Sequence, residues 1–356
     1  MKQCIVFFIL ALTGCCIAQA QDRTKEITML MQQDSIPGLS LLYIKDGKIQ
    51  GNYTLGIRST ATRLPVNDST IFSAASLSKT IFAWAVFRLV ETHQLDPDLP
   101  LFNYYSYKDV EADPRYKLVT ARMILTHSSG LPNWRRKGRP LSFNSDPGQQ
   151  FSYSGEGFVW LSRVVEKITG KGTEAYIRET VFTPLGMTRS SYVWPASFGD
   201  NYALPHSREG EPEEKYFPAE ANVAHSLQTT AVDYGKFLAA ILRDKKFMKA
   251  LLSDKGSVVG PRLGWKDGLG YEETSSGPAF WQWGDNDTFK AFVIGYPGKN
   301  EALVYFTNSF NGLKIARNLL HLFFNSDQPA LDWLDARASK STGMQQRHPI
   351  LSPGCR

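Results

Sequence analysis

The 356 residues include only four cysteines, Cys4, Cys15, Cys16 and Cys355, three of them within the first twenty positions. No disulfide framework, zinc site or catalytic thiol can be assembled from that set, so an apolar core must hold the fold. Excess charge of one sign is also scarce. Forty Lys plus Arg against 34 Asp plus Glu leaves a formal +6, spread along the chain. No Lys/Arg block long enough to track a phosphate backbone occurs, which argues against nucleic acid as a partner. The densest basic stretch, Arg135-Arg136-Lys137 with Arg139, sits among Gly and Pro. It reads as a solvated loop, with an anionic-ligand site as the alternative. No apolar run reaches the ~20 residues that cross a bilayer. His93, His206, His225, His321 and His348 show no metal-ligand spacing, and no metal or cofactor is expected.

The first twenty residues read as a targeting segment. Lys2 precedes an apolar run from Ile5 to Leu12, and the stretch closes on Ala18-Gln19-Ala20, the pattern of a secretory signal peptide. A second reading competes: Leu12-Thr13-Gly14-Cys15 has the form of a bacterial lipoprotein box, which makes Cys15 a lipid anchor. Cleavage after Ala20 is preferred, because Cys16-Ile17-Ala18 continues apolar up to a good cleavage site. Both readings export the protein, to the periplasm or medium or as a membrane-anchored lipoprotein. The oligomeric state is left open.

Periodicity organises the rest. Residues 24–34 form an amphipathic pattern, and Ile36–Tyr43 is extended. Lys45-Asp46-Gly47-Lys48 joins it to a second extended run ending at Ile57, a hairpin signal. From Leu77 to Val90 the chain is apolar nearly all round, which predicts a helix buried in a domain. Residues 95–150 are loop-rich. A helical face runs through 157–169 and stops at Gly170. A polar stretch covers 195–220, then Thr230 and Asp233 make a capping box. Strands are predicted at 279–284, 288–296 and 301–308, and a last helix at 312–324. The order is a mixed α/β part at about 21–75 and 225–327, a helical part at about 76–224, and a polar tail over 336–356. A sheet built from both chain ends with a helical insertion follows.

Chemistry concentrates at Ser73-Ala74-Ala75-Ser76-Leu77-Ser78-Lys79. Ser76 stands where the buried helix begins, and Lys79 follows one turn later on the same face. A serine hydroxyl needs a base within hydrogen-bond reach. A lysine among apolar groups loses pKa and becomes that base. The bland alternative is a Ser76 helix cap and a solvated Lys79.

Context adds a resemblance. FSAASLSKTIFAWAVFRLVETHQLDPD, VTARMILTHSSGLPNW, PGQQFSYSGEGFVWLSRVVEKITG and VFTPLGMTRS, in that order, resemble the serine β-lactamase and penicillin-recognising superfamily. The likeness is to its class C branch, with its D-Ala peptidases and esterases, and runs over about residues 26–325. It implies a β-lactamase-like α/β (α+β) fold: an antiparallel sheet flanked by helices, a helical domain inserted, and the site between. By motif, Ser76 is the acylated serine, Lys79 its partner and Tyr153 the proton-shuttling tyrosine, its phenol to be lowered by Lys79. The oxyanion hole falls on the backbone N–H groups of Ser76 and Asp285. His127 belongs to an architectural segment.

The chain departs from the pattern twice. Gly155 stands where the motif has Asn, with Glu156 beside it as either a substitute acceptor for Lys79 or a substrate amine, or an ordinary first-turn glutamate. The third motif reads Gln282-Trp283-Gly284, with neutral Gln282 in place of the cation that faces a substrate carboxylate. Lys290 or an arginine is left to substitute. Trp281 and Trp283 share one strand face, as pocket lining or core. Gly155, Glu156, Gln282, Trp283 and Gly284 are thus the substrate-binding candidates. The expected activity is an exported serine hydrolase cleaving an ester or amide of a small molecule or peptide. The alternative is a pseudoenzyme that binds cell-wall peptides or a partner protein.

Overall fold

In the computed structural model, which describes residues 23–253 and 256–345, strands from the two ends of the chain meet in one antiparallel sheet. The segment 1–20 read as a signal peptide, with Cys15, and the chain end containing Cys355 lie outside the described residues. Helix α1 covers residues 23–33. Strands β1 (Gly38–Lys45) and β2 (Lys48–Gly56) form the hairpin about Asp46-Gly47. Then come β3 (Phe72–Ser73), a 3-10 turn at Ala75–Leu77, α2 (Ser78–Glu91), α3 (Ala121–Leu125), α4 (Gly155–Thr169) and α5 (Thr173–Ile177). The chain returns through β4 (Gln228–Thr229), which pairs with β3, to α6 (Ala231–Arg243) and α7 (Lys245–Ser253).

Six strands follow: β5 (Ser257–Gly260), β6 (Leu263–Lys266), β7 (Leu269–Thr274), β8 (Gly277–Asp285), β9 (Lys290–Tyr296) and β10 (Glu301–Thr307). Helices α8 (Ala316–His321) and α9 (Pro329–Gln345) close the described chain. The sheet order is β2-β1-β10-β9-β8-β7-β6-β5, and β1 pairs with β10 from Leu39 opposite Thr307. The N-terminal hairpin thereby completes a sheet whose other strands lie more than 200 residues later.

The sheet is covered on both faces, and strand alternation sorts side chains between two cores. Leu42, Ile44, Val293, Val304 and Phe306 face the helical lobe with Phe72, Phe82 and Phe158. Leu39, Leu41, Ile294, Leu303 and Tyr305 face α1, α8 and α9. Along β8, Phe280 belongs to the first core and Trp281 to the second, so Gln282 returns to the helical-lobe side. That parity aims the third motif at the cleft.

Helix α2 is buried along most of its length, as its all-round apolarity requires. Tyr192 donates to Ser78 O at 2.6 Å and ties the start of α2 to the segment before β4. Helix α4 begins at Gly155 because the Ser154 hydroxyl accepts from Gly157 N at 2.9 Å, and it ends at left-handed Gly170. The helix expected over 312–324 is shorter, and α9 runs on to Gln345 through the segment read as a polar tail. Trp333 of α9 packs against Trp281 and Trp283 of β8, which a count of polar residues does not reveal.

Candidate active site

The turn before α2 is held from several sides. Ala74 N donates to Leu227 O at 2.8 Å. The Ser78 hydroxyl donates to Ala75 O at 2.5 Å and accepts from Leu227 N at 3.0 Å. Ala75, just before the serine, has φ +48°, a conformation that costs a non-glycine residue about a kcal/mol or more and persists only where neighbours enforce it. Ser76 therefore sits within the 3-10 turn, half-buried, with no capping bond from its side chain. Its hydroxyl is free for another partner.

That partner is Lys79. Its ammonium nitrogen donates to Ser76 Oγ at 3.1 Å and to Ala224 O at 2.7 Å. The side chain is fully buried, and the Nζ lies 4.9 Å from the Tyr153 ring centre and 5.7 Å from that of Phe158. Burial alone pushes its pKa down to about 7. The solvated-lysine alternative does not hold here.

Tyr153 closes the triangle. Its hydroxyl accepts from Gln282 Nε2 at 3.2 Å. Burial drives the phenol up, and the Ser76 hydroxyl, the Gln282 amide and the Arg337 charge recover only part of that. The expectation of a phenol lowered by Lys79 is corrected: the surroundings keep Tyr153 protonated. Beneath it lies His127, fully buried, with ring centres 4.1 Å apart. His127 Nδ1 accepts from Ser154 N at 3.0 Å, and burial, then Lys79, hold the imidazole neutral. It is a positioning residue.

On β8, Gln282 is buried and its amide also reaches Ser76 O at 3.4 Å. At Gly284 a Cβ would lie 2.6 Å from Ala74 O, so a missing side chain lets β8 approach the serine turn. The next residue, Asp285, pairs its carboxylate with Lys290, which removes Lys290 as a stand-in for the missing cation. Trp281 lies in the core, whereas Trp283 is half-buried and lines a cavity of about 440 Å³ with Leu334 and Arg337. Its ring centre is 4.7 Å from that of Tyr153.

The other departure has a steric cause. A Cβ at Gly155 would fall 2.7 Å from the Trp134 ring and 2.8 Å from Asn133 O, so indole occupies the space an Asn would need. Glu156 borders the cavity between Trp134 and His225, but its carboxylate is taken up by Arg135 rather than Lys79. Its carboxylate, almost wholly buried, accepts from Arg135 N at 3.0 Å, Nε at 2.9 Å and Nη2 at 2.7 Å. The acceptor reading of Glu156 is thereby corrected.

Four residues at the site carried little or no signal in the sequence. Trp134 and His225 meet across the cleft with ring centres 5.3 Å apart. Burial, then Lys79, push His225 down to about 4, so it stays neutral. Asn286 donates to Ser73 Oγ at 3.0 Å and His225 O at 3.2 Å, tying the end of β8 to both walls. Arg337, from α9, lies 4.5 Å over the Trp333 ring, and its charge acts on Tyr153 and His127. Trp134 is the last residue of the LPNW segment, and His225 stands just before the capping box, a place from which it could approach the cleft; Arg337 lies in the stretch read as a polar tail.

Comparison with known proteins places this geometry. The family model described as Beta-lactamase matches residues 24–323. Esterase EstB of Burkholderia gladioli is 27% identical over 214 residues, covering 51% of this chain and 53% of that protein. The chain thus spans about half the length of that curated relative. A solved class C beta-lactamase superposes with a TM-score of 0.75 at 20% identity, covering 86% of this chain and 97% of the other. The D-alanine carboxypeptidase AmpC of Burkholderia cenocepacia gives 0.72 at 20% identity, covering 86% and 99%. At such identities the structural likeness speaks to fold.

Proposed function

The chain belongs to the Beta-lactamase family, and from that premise we propose that it is an exported serine hydrolase acting through an acyl-enzyme on Ser76. One observation carries the reading: a fully buried lysine amine, its pKa brought to about 7, sits 3.1 Å from a serine hydroxyl that caps no helix. Neutral Lys79 takes the Ser76 proton while Oγ attacks the substrate carbonyl. The Ser76 and Asp285 N–H groups receive the oxyanion; one such donor is worth about 3 kcal/mol of transition-state stabilisation. Tyr153, still protonated, gives its proton to the leaving group and recovers one from Lys79. Water then attacks the acyl carbonyl, the same groups moving its proton.

The substrate reading is an ester or the amide of a small peptide, a D-amino-acid peptide included, ahead of a penicillin. Gln282 brings no charge to a substrate carboxylate, Lys290 is engaged by Asp285, and Gly155 brings no amide to an acylamino group. EstB, an esterase by name, points the same way.

The test is intact-mass analysis after treatment with a fluorophosphonate. One adduct on the native protein and none on Ser76→Ala is expected. No adduct on either, or equal labelling of both, would sink the enzyme and favour the pseudoenzyme. Turnover of p-nitrophenyl butyrate should exceed that of a chromogenic cephalosporin, and the reverse overturns the substrate order.

A further inference from the structure

The basic cluster singled out in the sequence is not used by this chemistry, yet it borders the site. The loop carrying it shapes a concavity of about 480 Å³, lined among others by Asn133, Trp134, Arg135, Arg136, Arg139 and Ser142, and no acidic residue lines it. Trp134 also lines a neighbouring cavity of about 430 Å³ that runs past Glu156, His225 and Asn286. Ala224, next to His225, holds Lys79 through its carbonyl. The basic concavity shares Trp134 and Arg135 with that neighbouring cavity, whose His225 adjoins the Ala224 carbonyl that holds Lys79, and it shares no lining residue with the cavity of Trp283 and Arg337.

The three arginines play different parts. Arg135 is anchored: besides Glu156 it donates to Asp109 Oδ2 at 2.6 Å and to the Tyr107 hydroxyl at 3.0 Å. These bonds fix one end of the loop on α4. Arg136 and Arg139 have no carboxylate partner among the described residues. Two guanidinium groups on one concave wall with no acidic residue make that wall positive, and an anion seated there would be attracted to both. A guanidinium fork suits the paired oxygens of a carboxylate or phosphate.

We propose that this concavity binds an anionic group of the substrate, a carboxylate or phosphate, and that Arg136 and Arg139 determine that specificity. The word substrate rests on the serine-hydrolase reading; the anion site itself does not. Two measurements separate them. Ser76→Ala protein is titrated calorimetrically with adipate and, separately, with inorganic phosphate. Saturable binding of at least one is expected, weakened about tenfold by Arg136→Gln/Arg139→Gln and further by salt, since exposed charges are screened beyond about 10 Å at 0.1 M. An unchanged melting temperature shows that the variant keeps its fold. Binding by neither anion, or equal affinity without the two arginines, overturns the site. The second arm compares mono-p-nitrophenyl adipate with neutral p-nitrophenyl hexanoate. The double variant should lose about tenfold in kcat/KM on the adipate, through KM, and stay within twofold on the hexanoate. Equal losses on both overturn the specificity role. Absent fluorophosphonate labelling, only the hydrolase reading falls, and the titration still decides the anion site.

Discussion

Two buried amines without a carboxylate partner among the described residues, Lys79 and Lys215, show how one physical effect serves two ends. Each is held at about 7 by burial. Lys79 faces a hydroxyl and becomes a base. Lys215 donates to Gln228 Oε1 at 3.0 Å and lies over the rings of Phe289 (4.7 Å) and Trp194 (5.4 Å). A lysine depressed in the fold but free to titrate at 10.5 when unfolded makes the unfolded chain the better proton binder between those values. Stability contributed at this position therefore rises with pH from about 7 to 10.5. Glu272, raised to about 8 by burial, pulls the opposite way over about pH 4.5–8, so a difference measurement is needed. Lys215→Met should raise stability at pH 6 by roughly 1–3 kcal/mol, with the gain shrinking towards pH 10, as read from urea unfolding of both proteins. At the site, Tyr153→Phe should lower kcat on an ethyl ester, whose alkoxide departs only with a proton, by about 10²–10⁴-fold, the usual worth of a general acid. Fluorophosphonate labelling of Ser76 should survive, because the base remains.

Elements set how close these groups come. Gly284→Ala would press a methyl onto Ala74 O and move β8 off the serine turn. The expected outcome is a kcat loss of about 10²-fold with KM little changed, since an oxyanion donor is displaced. Gly155→Asn, which restores the family residue, should lower both melting temperature and activity, because Trp134 fills the space. Adding Trp134→Ala should recover part of the melting temperature, the Asn133 carbonyl 2.8 Å from the new Cβ keeping the rest; no recovery at all would mean the indole is not an obstacle. Much of this scaffold was legible beforehand. All-round apolarity placed α2, the 3.6-residue period placed α4, the Thr230–Asp233 pair opened α6 (Asp233 N to Thr230 Oγ 3.1 Å), and strand patterning placed β8 to β10. Two-residue β3 and β4 are too short for any period. Helix α9 escaped because no element was expected between 324 and 336 and its second half, polar by composition, was read as tail, although Leu331, Trp333 and Leu334 at its start pack on the sheet. Ser76 and Lys79 were legible because one helical turn joins them. Arg337, Trp134 and His225 reach the site through contacts between distant segments, and spacing carries no trace of those.

At the scale of the whole molecule, the sheet needs both chain ends, since β1 lies between β2 and β10. The serine turn and Gln282 belong to different halves of the chain and meet only when that sheet is complete. Ser76 reactivity is therefore a reporter of the finished fold as well as of chemistry. The rate of fluorophosphonate attachment to Ser76, followed by mass from pH 5 to 9, joins these statements in one number. It should rise sigmoidally with a midpoint near 7, the value burial gives Lys79, and collapse at least 10³-fold in Lys79→Met. A rate independent of pH across that range, or one that survives the loss of Lys79, would contradict it.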